Sequence, residues 1–303
     1  MTDIWTYSPV RVGPRRAAAI AACAGALALI AGCGTGTGTG TGSDSASGTA
    51  APLSPRTAIT LAADQTQRVN SMSSNLVVNV SGMASATTTG SIQIQLRPRL
   101  LAEENLALTT QGKTMSMEDI VSAKAVYLKS AAFSSLTGQS GKAWIKIPLS
   151  DLSGSAGSAL SSLLQNVQNG DPLTQTRMLA TSKNVHKVGT QVIDGVSTTH
   201  YAGTFTPKAA VARLSTTLRR QVAPMLSLIA GDVRFDAWID ASHQVRKIAE
   251  VETVSGETVK LSMTITSINQ PVHVKLPRPA QVVVPPKGEL GGDGTSSGSG
   301  TVS

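Results

Sequence analysis

The spacing of hydrophobic residues changes once in the first part of the chain. From Ala58 to Ser74 the apolar positions suit one face of an amphipathic helix. Beyond it, apolar residues occupy every second position, as in a strand with one buried face; they are Leu76, Val78 and Val80, then Ile92, Ile94 and Leu96, then Leu106 and Leu108. With Gly82 and Gly90 flanking the first turn, the pattern predicts a helix followed by an antiparallel meander.

The middle of the chain alternates between short strands and helices. Ala125–Lys129 and Ala143–Ile147 are predicted strands, and Leu160–Val167 and Pro172–Ala180 are predicted helices. Asp194-Gly195 lies between two β-branched segments, which is a strong signal for a two-residue hairpin turn. Thr198–Phe205 then continues the sheet.

The last third returns from helix to strand. Pro207–Leu228 has helical spacing, and in the next strand Val233, Phe235, Ala237 and Ile239 face one way. Further strands are predicted over residues 245–254, 258–268 and 272–276. Antiparallel strands with separate helices favour an α+β fold in which a curved sheet carries its helices on one face.

The N-terminal segment has the layout of a lipoprotein signal. Arginines precede an uncharged apolar stretch over residues 17–32, which is shorter than the roughly 20 residues of a membrane-spanning helix. Ile30-Ala31-Gly32 before Cys33 resembles a bacterial lipobox, which implies lipidation of the Cys33 sulfur and cleavage before it. Arg15-Arg16 lacks the rest of the twin-arginine motif, so the Sec route is favoured over Tat.

These features divide the chain into four parts. Residues 1–32 are the predicted signal peptide, 33–57 the lipidated cysteine and a flexible Gly/Thr/Ser tether, 58–284 an α+β domain, and 285–303 a disordered tail. Because several acyl chains hold a protein stably on a bilayer, we expect the domain to lie at the outer face of the cell membrane.

Composition narrows the range of functions. Cleavage would remove Arg11, Arg15, Arg16 and Asp3, which lowers the net charge from +8 to +6. The remaining charges are scattered, which fits mild attraction to anionic headgroups, and nucleic acid is not an expected partner outside the cell. Cys23 leaves with the signal and Cys33 carries lipid, so no disulfide is expected.

No catalytic or metal site is expected. The four histidines, His186, His200, His243 and His273, lack partners at metal-ligand spacing, and His200 is expected at the surface or in a hydrogen bond. The segment Gly138–Gly141 is one residue short of a nucleophile elbow. The acidic pairs Glu103-Glu104 and Glu118-Asp119 are interpreted as solvated turns. No cofactor is implied.

Three segments together resemble a known family. AWIKIPL (143–149), DGVSTTHYAGTF (194–205) and AWIDASHQVRKI (237–248) are similar to segments of actinobacterial lipoproteins of the LppX and LprG kind, in the same order and after an N-terminal helix. The turn over residues 241–244 lacks the glycine expected there. The resemblance implies a LolA-like half-barrel whose helices lie on the concave face and enclose an apolar cavity for lipids or acylated glycolipids.

The residues that would line such a cavity follow from the alternation in the strands. They are Leu76, Val78, Ile92, Ile94, Leu96, Phe235, Ile239, Leu261, Met263 and Ile265. Each could instead be plain core. Two functions stay open: a membrane-anchored carrier of lipid, with a possible envelope transporter as its partner, and a sensor or regulatory lipoprotein that binds another envelope protein.

Overall fold

The computed structural model describes residues 53–82, 85–131, 143–151, 179–212 and 226–285, together with a few single residues between 213 and 225. Cys33, the predicted helix over 160–167, residues 172–178 of the predicted helix over 172–180, and nearly all of the predicted tail lie outside the described residues. Among the described residues, no helix is both long and apolar enough to cross a membrane.

A single long helix precedes the sheet. Helix α1 spans Pro55–Thr66; the Ser54 hydroxyl accepts a hydrogen bond from the Thr57 amide, and proline occupies the first turn. It starts three residues before the predicted domain boundary and ends eight residues before the predicted helix end. Val69 and Met72 fit a helical spacing, but strand pairing takes over from Ser71 because both neighbouring strands bond there.

Within the described residues, twelve strands form one open sheet. They are β1 (Ser71–Ser81), β2 (Ala86–Gln95), β3 (Leu101–Thr110), β4 (Lys113–Ser122), β5 (Ala125–Ser130), β6 (Trp144–Pro148), β7 (His186–Ile193), β8 (Val196–Phe205), β9 (Ile229–Asp240), β10 (Val245–Val254), β11 (Glu257–Ile268) and β12 (Val282–Val283). Helix α2 spans Pro207–Ala212 between β8 and β9. The order across the sheet is β12-β6-β5-β4-β3-β2-β1-β11-β10-β9-β8-β7.

The pairing closes two meanders onto each other at β1 and β11. All neighbours are antiparallel except β12, which runs parallel to β6 at one edge. The Asp194-Gly195 turn is confirmed, with both residues at positive φ of 46° and 79°. The turn after β9 works without glycine because His243 adopts a φ of 59° there.

Three details of the meander differ from the prediction. Strand β4 carries no predicted element, and residues 272–276 form no strand. Gly90 does not flank a turn: it lies inside β2 opposite Leu76, where a Cβ would collide with the backbone of Asn105 on β3. Close approach of backbones explains that glycine better than turn geometry does.

The sheet curves around α1. Ala58, Ile59 and Ala62 of the helix belong to one buried cluster that reaches from Val126 on β5 to Tyr201 on β8. Those strands are eight intervals apart, which would be about 38 Å in a flat sheet, whereas a helix is only about 10–12 Å wide. The predicted α+β half-barrel is therefore confirmed, and Ala210 places α2 on the same concave face.

Candidate functional site

The ten predicted cavity residues all lie on or beside strands and face the concave side. Nine are buried and Leu261 is half-buried. Registers place them opposite one another across the sheet, for example Leu76 between Gly90 and Met263. The structure brings them onto one surface but divides them into two clusters.

The first group belongs to the cluster around α1, here called the helix-covered cluster. It contains Ile94, Leu96, Phe235, Ile239 and Ile265. Phe235 contacts Phe205 with ring centroids 6.2 Å apart. Because Ala58, Ile59 and Ala62 pack on these residues, this half of the concave face is closed by the protein's own helix.

The second group forms a separate cluster toward the turns that join β1 to β2 and β10 to β11. This second cluster contains Leu76, Val78, Ile92 and Met263 with Leu106, and Leu261 packs against it. Among the described residues, it includes no residue of α1 or α2. Of the two halves, it is the better candidate for contact with an apolar ligand.

A row of polar side chains separates the two clusters. Cross-strand pairing places Ser74 beside Ile92, Ile92 beside Glu104, and Glu104 beside Asp119. Alternation along each strand then puts all four on the concave face. We call Ser74, Glu104 and Asp119 the polar row.

The side chains of the polar row are buried, and most of their oxygen atoms have no hydrogen-bond partner among the described residues. Ser74 and Glu104 are each 1% exposed and Asp119 is 5% exposed. Within the part of the chain that the structure describes, the Ser74 hydroxyl, both Glu104 carboxyl oxygens and one Asp119 oxygen make no hydrogen bond. Unpaired buried polar groups are rare in native proteins because each costs about 1–3 kcal/mol.

Burial shifts the protonation of both acids. Loss of water raises the pKa of Glu104 to about 7, and the nearby Asp119 charge adds to the effect. Burial, with a smaller contribution from Glu118, raises the pKa of Asp119 to about 6. Burial also raises the pKa of Glu252, which lies on the concave side of β10. A carboxyl close to half protonation can both donate and accept a hydrogen bond.

The interpretation of the acidic pairs as solvated turns is wrong. Both pairs lie inside strands, and each contributes one acid to each face of the sheet. The signal was present in the alternation: Glu104 shares its parity with Ala102 and Leu106, and Asp119 shares its parity with Met117 and Val121. Two adjacent carboxylates are typical of a solvated turn, and for that reason the sequence alone favoured the wrong interpretation.

Glu118, Lys129 and His200 lie on the convex face and, unlike the polar row, have partners. Glu118 binds Lys129 at 2.6 Å, and Lys129 also lies over the Trp144 ring. His200 is hydrogen bonded as expected: its Nε2 is 2.6 Å from Asp236 Oδ1, and its ring stacks on Trp238. No group of three or more His, Cys, Asp or Glu side chains in the described ranges is placed to hold a metal ion.

Comparison with known proteins gives similarity in sequence over a part of the chain and in structure over most of it. No protein-family model matches the chain. It is 29% identical over 114 residues to an uncharacterized 31.2 kDa protein in the rplA-rplJ intergenic region of Streptomyces griseus, and the match spans 36% of this chain and 37% of that protein.

Two solved lipoproteins are similar in structure. LprF from Mycobacterium bovis has 15% identity and a TM-score of 0.46 over 74% of this chain and 96% of its own. Mycobacterium tuberculosis lipoprotein LppX has 16% identity and a TM-score of 0.43 over 73% and 98%. MucB of Pseudomonas aeruginosa, solved in complex with MucA, is more distant at 13% identity and a TM-score of 0.33, covering 71% of this chain and 56% of that chain.

Proposed function

We propose that the protein is a lipoprotein, anchored through Cys33 at the outer face of the cell membrane, that binds and carries lipids or acylated glycolipids without catalysis. The observation that carries this proposal is the second cluster. It is an aliphatic surface inside a curved sheet, and α1 packs on the neighbouring cluster instead. Burying acyl chains on such a surface contributes about 25 cal/mol per Å².

The parts of the chain suit that role together. A tether of about 22 residues between Cys33 and α1 would span roughly 25 Å if it behaves as a flexible Gly/Ser-type linker. That reach would let the domain take lipid from the bilayer that holds it. An envelope transporter that receives the cargo is part of the proposal.

The test uses the mature chain with Cys33→Ala, which prevents acylation while leaving the domain intact. The purified protein is incubated with vesicles of mixed diacyl lipids, separated from them and examined by native mass spectrometry. We expect one or two lipids bound per protein. Persistent recovery of lipid-free protein would refute the carrier function.

A matched pair of variants locates the binding surface. Leu261→Gln places an amide on the second cluster, where Leu261 is only half-buried, and it should reduce lipid recovery severalfold. Val77→Gln changes a nearby residue that points to the convex face and is 38% exposed, and it should leave recovery unchanged. Equal loss in both variants would argue against a concave site.

A second candidate function is protein binding through the edge strand β7. Among the described residues, this strand pairs on one side only, and Val188 and Val192 on it are 54% and 64% exposed. Open strand edges accept an added strand from a partner. A stoichiometric partner that is lost in a Val192→Lys variant, recovered from envelope extracts with lipid-free protein, would favour the regulatory function over the carrier.

A further inference from the structure

The polar row is the place where the concave face departs most from a plain hydrophobic core. Within the described residues, the Ser74 hydroxyl, both Glu104 oxygens and one Asp119 oxygen are buried without a hydrogen bond. These side chains lie between the helix-covered cluster and the second cluster. A fold stabilised only by packing gains nothing from Glu104 at this position, since an apolar residue would avoid the cost of desolvation.

The charge around the row restricts what could bind it. The rows on either side carry Met72, Ile94, Ala102 and Val121, and Leu76, Gly90, Leu106 and Met117. None of these is a cation, and Glu104 and Asp119 each carry a negative charge when ionised. An anionic phosphate headgroup would therefore meet repulsion and no compensating lysine or arginine in these rows.

The hydrogen-bonding capacity of the row restricts the ligand further. Glu104 and Asp119 offer acceptor oxygens and, when protonated, a donor, and the Ser74 hydroxyl can both donate and accept. Strand spacing of about 4.8 Å sets Ser74 and Asp119 about 14 Å apart. A group with several hydroxyls, each both donor and acceptor, matches this pattern, whereas a single ammonium group offers donors only.

Resting on the proposed carrier function, we propose that Ser74, Glu104 and Asp119 bind the polar group of the cargo, and that this group is an uncharged polyhydroxylated headgroup such as a glycosyl unit. The acyl chains lie against the second cluster and the hydroxyls hydrogen bond to the row. A lipid without such hydroxyls would leave the buried carboxyls unpaired. That cost weakens its binding and gives the site its selectivity.

A competition experiment tests the proposal. The mature Cys33→Ala chain is incubated with vesicles containing equal amounts of glycosyl diacylglycerol, phosphatidylglycerol and phosphatidylethanolamine with identical acyl chains, and the bound lipids are quantified by mass spectrometry. We expect the glycosyl lipid to be enriched about tenfold or more over phosphatidylglycerol, in line with one or two hydrogen bonds to carboxyl groups. Preference for either phospholipid would overturn the proposal.

The variants separate this proposal from the carrier function. Glu104→Gln/Asp119→Asn should still bind diacyl lipid but lose most of the enrichment, whereas Glu118→Gln on the convex face of the same strand should keep it. Unchanged enrichment in the double variant refutes the role of the row while the carrier function stands. A parent protein that binds none of the three lipids refutes both.

A measurement on the unmodified site covers the case in which the double variant does not fold. The carboxyl ¹³C resonance of Glu104 in the Cys33→Ala chain should shift when glycosyl diacylglycerol is loaded, because a new hydrogen bond changes its protonation. It should shift less with phosphatidylglycerol. An identical resonance with the two lipids would exclude contact with the headgroup.

Discussion

Asp240 and Glu104 are two of the buried carboxyl groups in this sheet, and their surroundings are opposite. Asp240, at the end of β9, accepts hydrogen bonds from the amides of Ser242 and Gln244 and binds Arg246 at 2.7 Å. Glu104, on the concave face, has no hydrogen bond from any described residue. A buried carboxylate whose oxygens all accept hydrogen bonds has a structural role. A buried carboxyl group without such partners occupies a position that packing alone does not explain.

Asp240 also explains how the β9–β10 turn forms without a glycine. The family pattern leads us to expect glycine in the β9–β10 turn, and this chain has none in residues 241–244. His243 takes the left-handed conformation instead, and the Asp240 carboxylate holds the two amides of the turn in place. The hairpin therefore closes through hydrogen bonds to the Asp240 side chain rather than through the conformational freedom of a glycine.

The largest effect is expected from breaking the satisfied carboxylate. Asp240→Ala removes two hydrogen bonds to backbone amides and leaves Arg246, whose side chain is 21% exposed, without its ion pair. We expect the free energy of unfolding to fall by about 4 kcal/mol. Urea denaturation followed by circular dichroism measures the change.

Asp236→Ala is the matched control for that variant. Asp236 lies on the same strand and binds His200, but its side chain is 42% exposed, so its loss should cost under about 1 kcal/mol. Equal costs for the two aspartates would contradict the structural role assigned to Asp240.

The second prediction concerns the unsatisfied carboxyl and the pH dependence of stability. The folded pKa of Glu104 is raised from 4.5 to about 7, so the folded state holds a proton that the unfolded state releases. The stabilisation that comes from holding this proton is fully present below about pH 4.5. It is lost as the pH rises to about 7, so the free energy of unfolding decreases by about 3 kcal/mol. Glu104→Gln should remove this part of the decrease.

Denaturant midpoints at pH 4, 6 and 8 check that prediction. The variant should gain stability relative to the parent as the pH rises, with a residual decrease from Asp119 and Glu252, whose pKa values burial also raises. Parallel pH profiles for parent and variant would show that Glu104 does not titrate in this range.

The smallest effect is expected on the convex face. Glu118→Gln breaks the ion pair with Lys129, whose side chains are 27% and 45% exposed, and should cost under about 1 kcal/mol. The loss should shrink further in 0.5–1 M salt because solvent-exposed charges are screened. A cost as large as that of Asp240→Ala would contradict the expected difference between an exposed and a buried ion pair.

Much of the sheet could be predicted because the alternation of apolar and polar residues along a strand can be recognised in a single sequence. The alternation in β1, β9 and β11 correctly gave the buried face, and Asp194-Gly195 gave its hairpin. Strand β4 was not predicted, although Met115 and Met117 alternate with Thr114 and Ser116, because Glu118-Asp119 in its middle was interpreted as a solvated turn. The helix was extended past Thr66 because Val69 and Met72 fit both periods.

The candidate site was only partly predictable. The sequence identified the apolar residues but not their division into two clusters, since that depends on which half of the sheet α1 packs against. Glu104 and Asp119 are 15 positions apart along the chain, and only the β3–β4 register makes them neighbours.

The sequence by itself predicted a lipobox at Cys33, and it determined the antiparallel alternation and the side chains that face inward, because these depend on residues that are near neighbours in the chain. The tertiary structure decided that α1 covers one half of the concave face and that three polar groups meet in one buried row. Those outcomes depend on long-range strand pairing, which brings together residues that no local pattern connects.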